Sequence, residues 1–188
     1  MRVIVINTGT EILLGDVINT HLSFIAREIL PLGLRVERQI SVPDGPAIRD
    51  ALQENLGSAD LIFVTGGLGP TTDDLTREVT SELLGRELAP DPDLAHTITH
   101  RLFHRRVRMT DRILRQAEVP RGAVVLPNDN GTAPGLYLAA EAGTPHLFLL
   151  PGPPRELQPM FGQSVMPILR QIVKLKQTLA YRSYRIVG

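Results

Sequence analysis

Cysteine is absent from the 188 residues, which rules out disulfides, thiolate nucleophiles and sulfur-ligated metal centres. Aromatic residues make up only 4% of the chain, too few to favour a stacking surface for single-stranded nucleic acid. Net charge is missing as well. Twenty Lys and Arg offset 20 Asp and Glu, so no overall field draws the molecule toward nucleic acid or anionic lipid, and only local patches need weighing. No apolar run reaches the length of a membrane span, and no signal-like segment stands ahead of Arg2-Val3-Ile4-Val5-Ile6. The expectation is a cytoplasmic protein with neither a nucleic-acid nor a membrane partner.

What is present suits a sizeable core, since 43% of the residues are hydrophobic. Residues 1–173 are expected to form one domain, with 174–188 as a strand-like tail or the start of a connection to a second domain. Arg2 to Ile6 is a nearly continuous apolar run rich in Val and Ile, as a buried strand requires. Leu22, Ile25, Ala26 and Ile29 recur at helical spacing until Pro31 and Gly33. Leu34 to Val42 alternates more loosely, with Val36 and Ile40 expected on one face of a strand nearer an edge. Asp44-Gly45-Pro46 has the make-up of a helix start, the carboxylate capping and Pro46 in the first turn, ahead of Ile48, Ala51 and Leu52. Leu61 to Val64 is another all-apolar strand, followed by Leu75, Val79 and Leu83 at intervals of four.

Strands without a polar face, alternating with helices, predict a three-layer α/β/α domain with a mostly parallel sheet. Two helices in the middle, one begun by Asp91-Pro92 with Ile98 and Leu102 inward, the other capped by Thr110 with Ile113, Leu114 and Ala117 inward, read as an insertion beside it. Val124 to Leu126, Leu136 to Leu138 and Leu147 to Leu150 return to strands. A last helix from Arg155 to about Val173 is expected to bend or break at Pro159, Gly162 and Pro167, and Thr178 to Val187 alternates as a strand does.

The stretch TGGLGPTTDD, Thr65 to Asp74, carries the chemistry. A loop after an internal parallel strand lies at the carboxyl edge of the sheet, where open α/β folds bind ligands. Glycines there let backbone amides approach an anion, and the following helix adds unpaired N–H groups. Threonine stands at the last glycine position of a dinucleotide fingerprint, and no Lys-Ser or Lys-Thr completes a Walker A loop. Asp73 and Asp74 would repel a bare phosphate, whereas a divalent cation between them reverses the sign. Capping by Thr72 or Asp73, with Asp74 favouring the first helical turn, accounts for the same residues without a metal. Asp44 and Glu11 place carboxylates after two further strands, Asp44 open to capping alone and Glu11 to being an exposed loop acid. Asn128 to Gly135 is a tight polar connection that serves equally as a plain hairpin-like turn. Arg155, after Leu150-Pro151-Gly152-Pro153-Pro154, suits either a phosphate or a neighbouring acid.

Four of these segments together carry a family resemblance: Thr8 to Asp16 with Asn19-Thr20, Thr65 to Thr76, Asn130 to Gly135, and Leu150 to Leu157. They resemble the N-terminal domain of the competence/damage-inducible CinA family, within the wider MoaB/Mog molybdopterin-binding fold. The resemblance implies a pocket for a nucleotide or pterin phosphate and a homo-oligomer, expected to be a dimer. In the CinA branch it implies ADP-ribose pyrophosphatase activity with Mg²⁺, Mn²⁺ or Co²⁺, and with K⁺ assisting. In the molybdopterin branch it implies adenylylation of molybdopterin or molybdate insertion. A non-catalytic nucleotide-binding module is the third reading. Relatives often continue into an amidohydrolase domain, and that activity is not expected of this chain.

Carried over residue by residue, the resemblance makes Asp44, Asp73 and Asp74 the catalytic and metal-binding set. Thr10, Glu11, Thr65, Gly66, Gly67, Gly69, Thr71, Thr72, Asn130, Gly131, Thr132 and Arg155 are the expected phosphate and nucleotide contacts. Leu68-Gly69-Pro70-Thr71-Thr72 is the CinA version of the loop, which favours pyrophosphatase over molybdopterin chemistry. His96, His100 and His104 share a helical face without the acid of a zincin pattern, and a solvated face is expected. Arg101, Arg105, Arg106 and Arg108 form a basic cluster that faces water or reaches a phosphate or an oligomer partner.

Overall fold

The computed structural model describes residues 1–104 and 110–173. Its first strand, β1 (Val3–Thr8), is buried at every position, so it sits inside the sheet. β2 (Val36–Val42) and β3 (Leu61–Thr65) flank it in parallel, and β8 (His146–Leu150) lies parallel to β3. β7 (Gly135–Leu138) runs antiparallel to β8, and β6 (Val124–Leu126) antiparallel to β7. The order is β2-β1-β3-β8-β7-β6.

Side chains alternate across this sheet and build two cores. After β1 comes the short helix α1 (Thr10–Leu14). Val3, Val5, Leu61, Phe63, Phe148 and Leu150 meet α2 (His21–Ile29) and the last helical run on one face. Ile4, Ile6, Ile62, Val64, Leu147 and Leu149 meet α3 (Ala47–Leu56) and α4 (Thr76–Leu83) on the other. The three-layer architecture is therefore present. The helical run consists of α7 (Pro154–Met160), a π turn at Phe161–Val165 and α8 (Met166–Ile172). The expected break is thus a single widened turn between Pro159 and Pro167, which lets the run continue.

α5 (Pro92–His104) and α6 (Asp111–Leu114) form the insertion, fastened by a two-stranded ribbon of β4 (Leu88–Pro90) and β5 (Glu118–Pro120). Asp91 caps α5 by accepting the Leu94 amide at 2.9 Å. Ile98, Leu102 and Ala117 form their own small core, whereas Leu114, expected inward, is exposed.

Two further expectations are corrected. The register of β1 against β2 shifts, Val3 pairing with Val36 and Ile4 with Arg38. The irregularity at Glu37 sends Val36 to the first core and Ile40 to the second, because one extra residue exchanges the faces. The α3 helix starts at Ala47 without a side-chain cap, so Asp44 is free for another task. Arg105, Arg106, Arg108 and the strand expected over Thr178 to Val187 lie outside the described residues.

Phe63 stacks on Phe148 with ring centroids 5.4 Å apart and meets Phe161 at 5.6 Å. Phe63→Ala should lower stability by about 3–5 kcal/mol, read as a reduced midpoint in urea unfolding.

Candidate functional site

Because β1, β2, β3 and β8 are parallel, their carboxyl ends share one edge, and the loops leaving them converge. Gly66 and Gly67 have φ of 94° and 68°, where L side chains are strained. A Cβ on Gly66 would strike the Thr8 carbonyl oxygen, and one on Gly67 the Thr76 hydroxyl. The loop is pinned from both sides. The Gly66 amide donates to Leu150 O at 2.9 Å, the Thr76 amide to Gly67 O at 3.1 Å, and the Thr76 hydroxyl to Gly66 O at 2.9 Å. The first amide of α4 is thus spent on the loop.

Asp44 ties the neighbouring loops together. Its Oδ1 accepts the Thr8 hydroxyl at 3.1 Å and its Oδ2 the Thr10 amide at 2.9 Å, while its own amide donates to the Thr10 hydroxyl at 3.2 Å. The Gly45 amide then donates to Asp73 O at 3.0 Å, bringing the aspartate loops into contact. Within the second of them, Asp74 Oδ2 accepts the Thr71 amide at 2.9 Å, and the Thr71 hydroxyl lies against both Asp73 and Asp74 carboxylates. That hydroxyl first, and the backbone amide second, hold Asp73 below its ordinary pKa. No side chain caps α4, so these carboxylates organise their own turn rather than the helix.

The opposite wall is built around Asn128, which is buried. Its amide hydrogens go to Ala133 O at 2.7 Å and Glu156 Oε2 at 2.9 Å, and its Oδ1 accepts the Asn130 and Gly131 amides at 3.1 and 2.9 Å. The side chain's donors and its acceptor oxygen are all engaged. A Cβ on Gly131 would run into Glu156, so the turn packs directly against that carboxylate. Arg101, from the basic cluster, donates to the carbonyls of Asn128 and Gly131. Arg155 Nε lies 3.9 Å from Glu156 Oε1, with its side chain 81% exposed at the rim.

These walls enclose a cleft of about 370 Å³. Of the residues singled out in the sequence, Glu11, Asp44, Gly66, Gly67, Gly69, Asp74, Asn130, Gly131, Thr132 and Arg155 line it. Thr10, Thr71, Thr72 and Asp73 lie outside its lining, and the first, second and fourth of these serve the loop bonds above. Thr65 is buried beneath, accepting from Asn7 Nδ2 at 2.7 Å and lying 3.2 Å from His21 Nδ1. Sequence reasoning passed over Thr8, Gln116 and Glu156 as lining residues. Gln116 is buried, and its Oε1 has no protein partner among the described residues.

Among the described residues, no group of three or more His, Asp or Glu side chains could hold a metal ion. The three-aspartate set expected from the sequence is therefore not assembled as a cage. Asp44 and Asp74 facing one cleft do fit Mg²⁺, which commonly takes one or two protein carboxylates and completes its shell with phosphate oxygens and water. His96 and His100 are exposed, as a solvated face requires. Among the described residues no helix is long and apolar enough to cross a membrane.

Two substitutions probe the walls. Gly67→Ala should cost at least about 1 kcal/mol, read as a lowered midpoint in denaturant unfolding. Asn128→Ala strands the Glu156 carboxylate and two amides, and should destabilise by about 1–3 kcal/mol in denaturant unfolding.

Burial pushes the His21 imidazole below its ordinary 6.5, with the Gly152 backbone opposing the shift. Burial also lowers His146, whose Nδ1 accepts the Ala140 amide at 3.1 Å. The unfolded chain therefore takes up these protons at higher pH than the folded one. Stability should fall as pH drops below 6.5 and level off below the folded-state values. His21→Gln should flatten part of that slope in denaturation curves recorded between about pH 7.5 and 5.

The family model for the probable molybdopterin binding domain matches residues 4–171. A CinA-like protein of Akkermansia muciniphila is 43% identical over 188 residues, covering 100% of this chain and 45% of the relative. A CinA-like protein of Dictyoglomus thermophilum is 40% identical over 170 residues, covering 90% of this chain and 41% of the relative. The chain thus spans less than half the length of these curated relatives. The crystal structure of CinA from Thermoplasma acidophilum matches with a TM-score of 0.78 at 32% identity, over 89% of this chain and 97% of that one. The molybdopterin biosynthesis enzyme MoaB of Thermus thermophilus, with a TM-score of 0.57 at 21% identity over 93% and 94% of the two chains, shares the fold. The chain belongs to the molybdopterin-binding domain family and, within it, to the CinA-like proteins.

Proposed function

We propose that the cleft hydrolyses the pyrophosphate bond of ADP-ribose or a related nucleotide, giving AMP and a sugar phosphate. The observation that supports this most is a single cleft carrying both a main-chain glycine loop and the carboxylates of Asp44 and Asp74. A phosphate needs the first, and a hydrated divalent cation needs the second.

In this reading the amides of Gly67 and Gly69 hold non-bridging oxygens as charge builds on them, whereas the Gly66 amide, expected to join them, is spent on Leu150 O. Arg155, free to swing at the rim, draws the departing phosphate. Asp44 and Asp74 would hold the cation, which when bound supplies phosphoryl polarisation and a more acidic water. The water oxygen bonds to phosphorus while the bridging P–O bond breaks, and its electron pair leaves with the departing phosphate. One cleft carboxylate accepts the water proton. The cleft is built from backbone already held by protein bonds, so little reorganisation is needed when substrate arrives.

A second reading, molybdopterin binding with AMP transfer, is supported by the family-model match over residues 4–171. The molecule is also read as a homodimer, for which exposed Leu13, Leu14, Val17 and Ile18 beside Glu11 offer an apolar surface.

Hydrolysis of ADP-ribose should appear with Mg²⁺, Mn²⁺ or Co²⁺ and disappear with a chelator. Asp74→Asn keeps the shape of the turn and should lower turnover about 100-fold or more while leaving the melting temperature nearly unchanged. Adenylylated molybdopterin from molybdopterin and ATP, with no AMP released from ADP-ribose, would transfer the assignment to the second reading. Binding of ADP-ribose without cleavage under any of these metals would leave a nucleotide-binding module.

A further inference from the structure

The turn from Asn128 to Thr132 forms one wall of the cleft, yet the residue that holds it from behind comes from the insertion. Arg101, on α5, is not part of the cleft lining and borders the far side of the turn, between α5 and the β6–β7 connection. Its Nη1 donates to the carbonyls of Asn128 and Gly131, and its Nη2 lies 3.8 Å from Asp129 Oδ1. Bonds from a charged donor are stronger than neutral ones. Two of them from one nitrogen fix the peptide planes of the turn.

The direction of those planes matters for the cleft. A trans peptide is planar, with its C=O and N–H pointing opposite ways, and none of the described peptide bonds is cis. Drawing the Gly131 carbonyl back toward Arg101 therefore turns the Thr132 N–H the other way. Gly131 and Thr132 both line the cleft, so that N–H faces it. The bonds within the turn use the Asn130 and Gly131 amides and the Ala133 carbonyl. Among the described residues, no acceptor takes the Thr132 amide.

We propose that Arg101 is a positioning residue for phosphate binding, which aims the Thr132 amide across the cleft at the anion held by Gly67 and Gly69. The guanidinium draws electron density through the Gly131–Thr132 peptide and makes its N–H a better donor, since hydrogen bonds in series polarise one another. The charge of Arg101 thus reaches the ligand without entering the cleft, where it would compete with a cation for Asp44 and Asp74. The proposal rests on the phosphate-cleft reading above and adds a donor on the opposite wall.

The test follows backbone amide resonances of the whole chain by NMR while ribose 5-phosphate is added in the presence of Mg²⁺. In the wild type the Thr132 and Gly67 amide protons should both shift, along one binding curve. Arg101→Met keeps the length of the side chain and removes the guanidinium. It should weaken binding about tenfold or more and cancel the Thr132 shift at saturation, while the Gly67 shift persists. Arg101→Lys keeps a charged nitrogen with donors enough for both carbonyls and should restore most of the Thr132 shift. The wild-type curves remain decisive even where Arg101→Met fails to fold. The proposal is overturned if Thr132 stays still in the wild type while Gly67 shifts. It is overturned equally if Arg101→Met leaves the Thr132 shift intact, or reduces both saturating shifts in parallel as a merely structural fastening would. Silence of both amides in the wild type would remove the phosphate-cleft reading and this proposal with it.

Discussion

The main chain after β3 lies directly on the main chain after β1, with no room for a Cβ at Gly66 against the Thr8 carbonyl. That contact sets the floor of the cleft. Everything above it is arranged to keep two backbone segments in place that carry few side chains of their own. Asp44 holds the β1 loop through Thr8 and Thr10, Gly45 reaches Asp73, and Gly66 reaches Leu150. Individually these bonds contribute about 0.5–1.5 kcal/mol each. Together they fix donors and carboxylates before a ligand arrives, which is where an electrostatic site gains most.

The layers were legible because burial leaves a strong local trace. Strands such as Leu61 to Val64 have no polar face, and only a sheet covered on both sides tolerates that. The helix start at Asp91-Pro92 was legible because it is local, the Asp91 carboxylate meeting an amide only three residues away. Legibility failed where partners are distant in sequence. Asp44 looks like a cap beside Gly45-Pro46, yet its bonds go to Thr8 and Thr10. Asn128 and Glu156 are 28 positions apart, and nothing in either neighbourhood signals the other.

Thr65 is an instructive miss. It adjoins the glycines, but as the last residue of β3 its side chain follows the alternation of the strand into the Asn7 and His21 network. Position beside a loop does not make a side chain part of its surface. The bulge at Glu37 teaches the same lesson for β2, where one residue outside the ladder register separated Val36 from Ile40. Periodicity reports which residues are apolar more faithfully than which way they face.

The cleft draws on five loops that leave the sheet far apart in the chain, from Thr8 to Glu156. No partly folded form containing only β1 to β3 can present it, because the wall of Asn128, Gly131 and Glu156 arrives with β6, β7 and β8. Occupancy and global folding are consequently one linked equilibrium: a ligand that enters the cleft is a ligand of the native state alone. Its concentration acts as a thermostat, raising the temperature at which the whole domain melts rather than stiffening one corner of it.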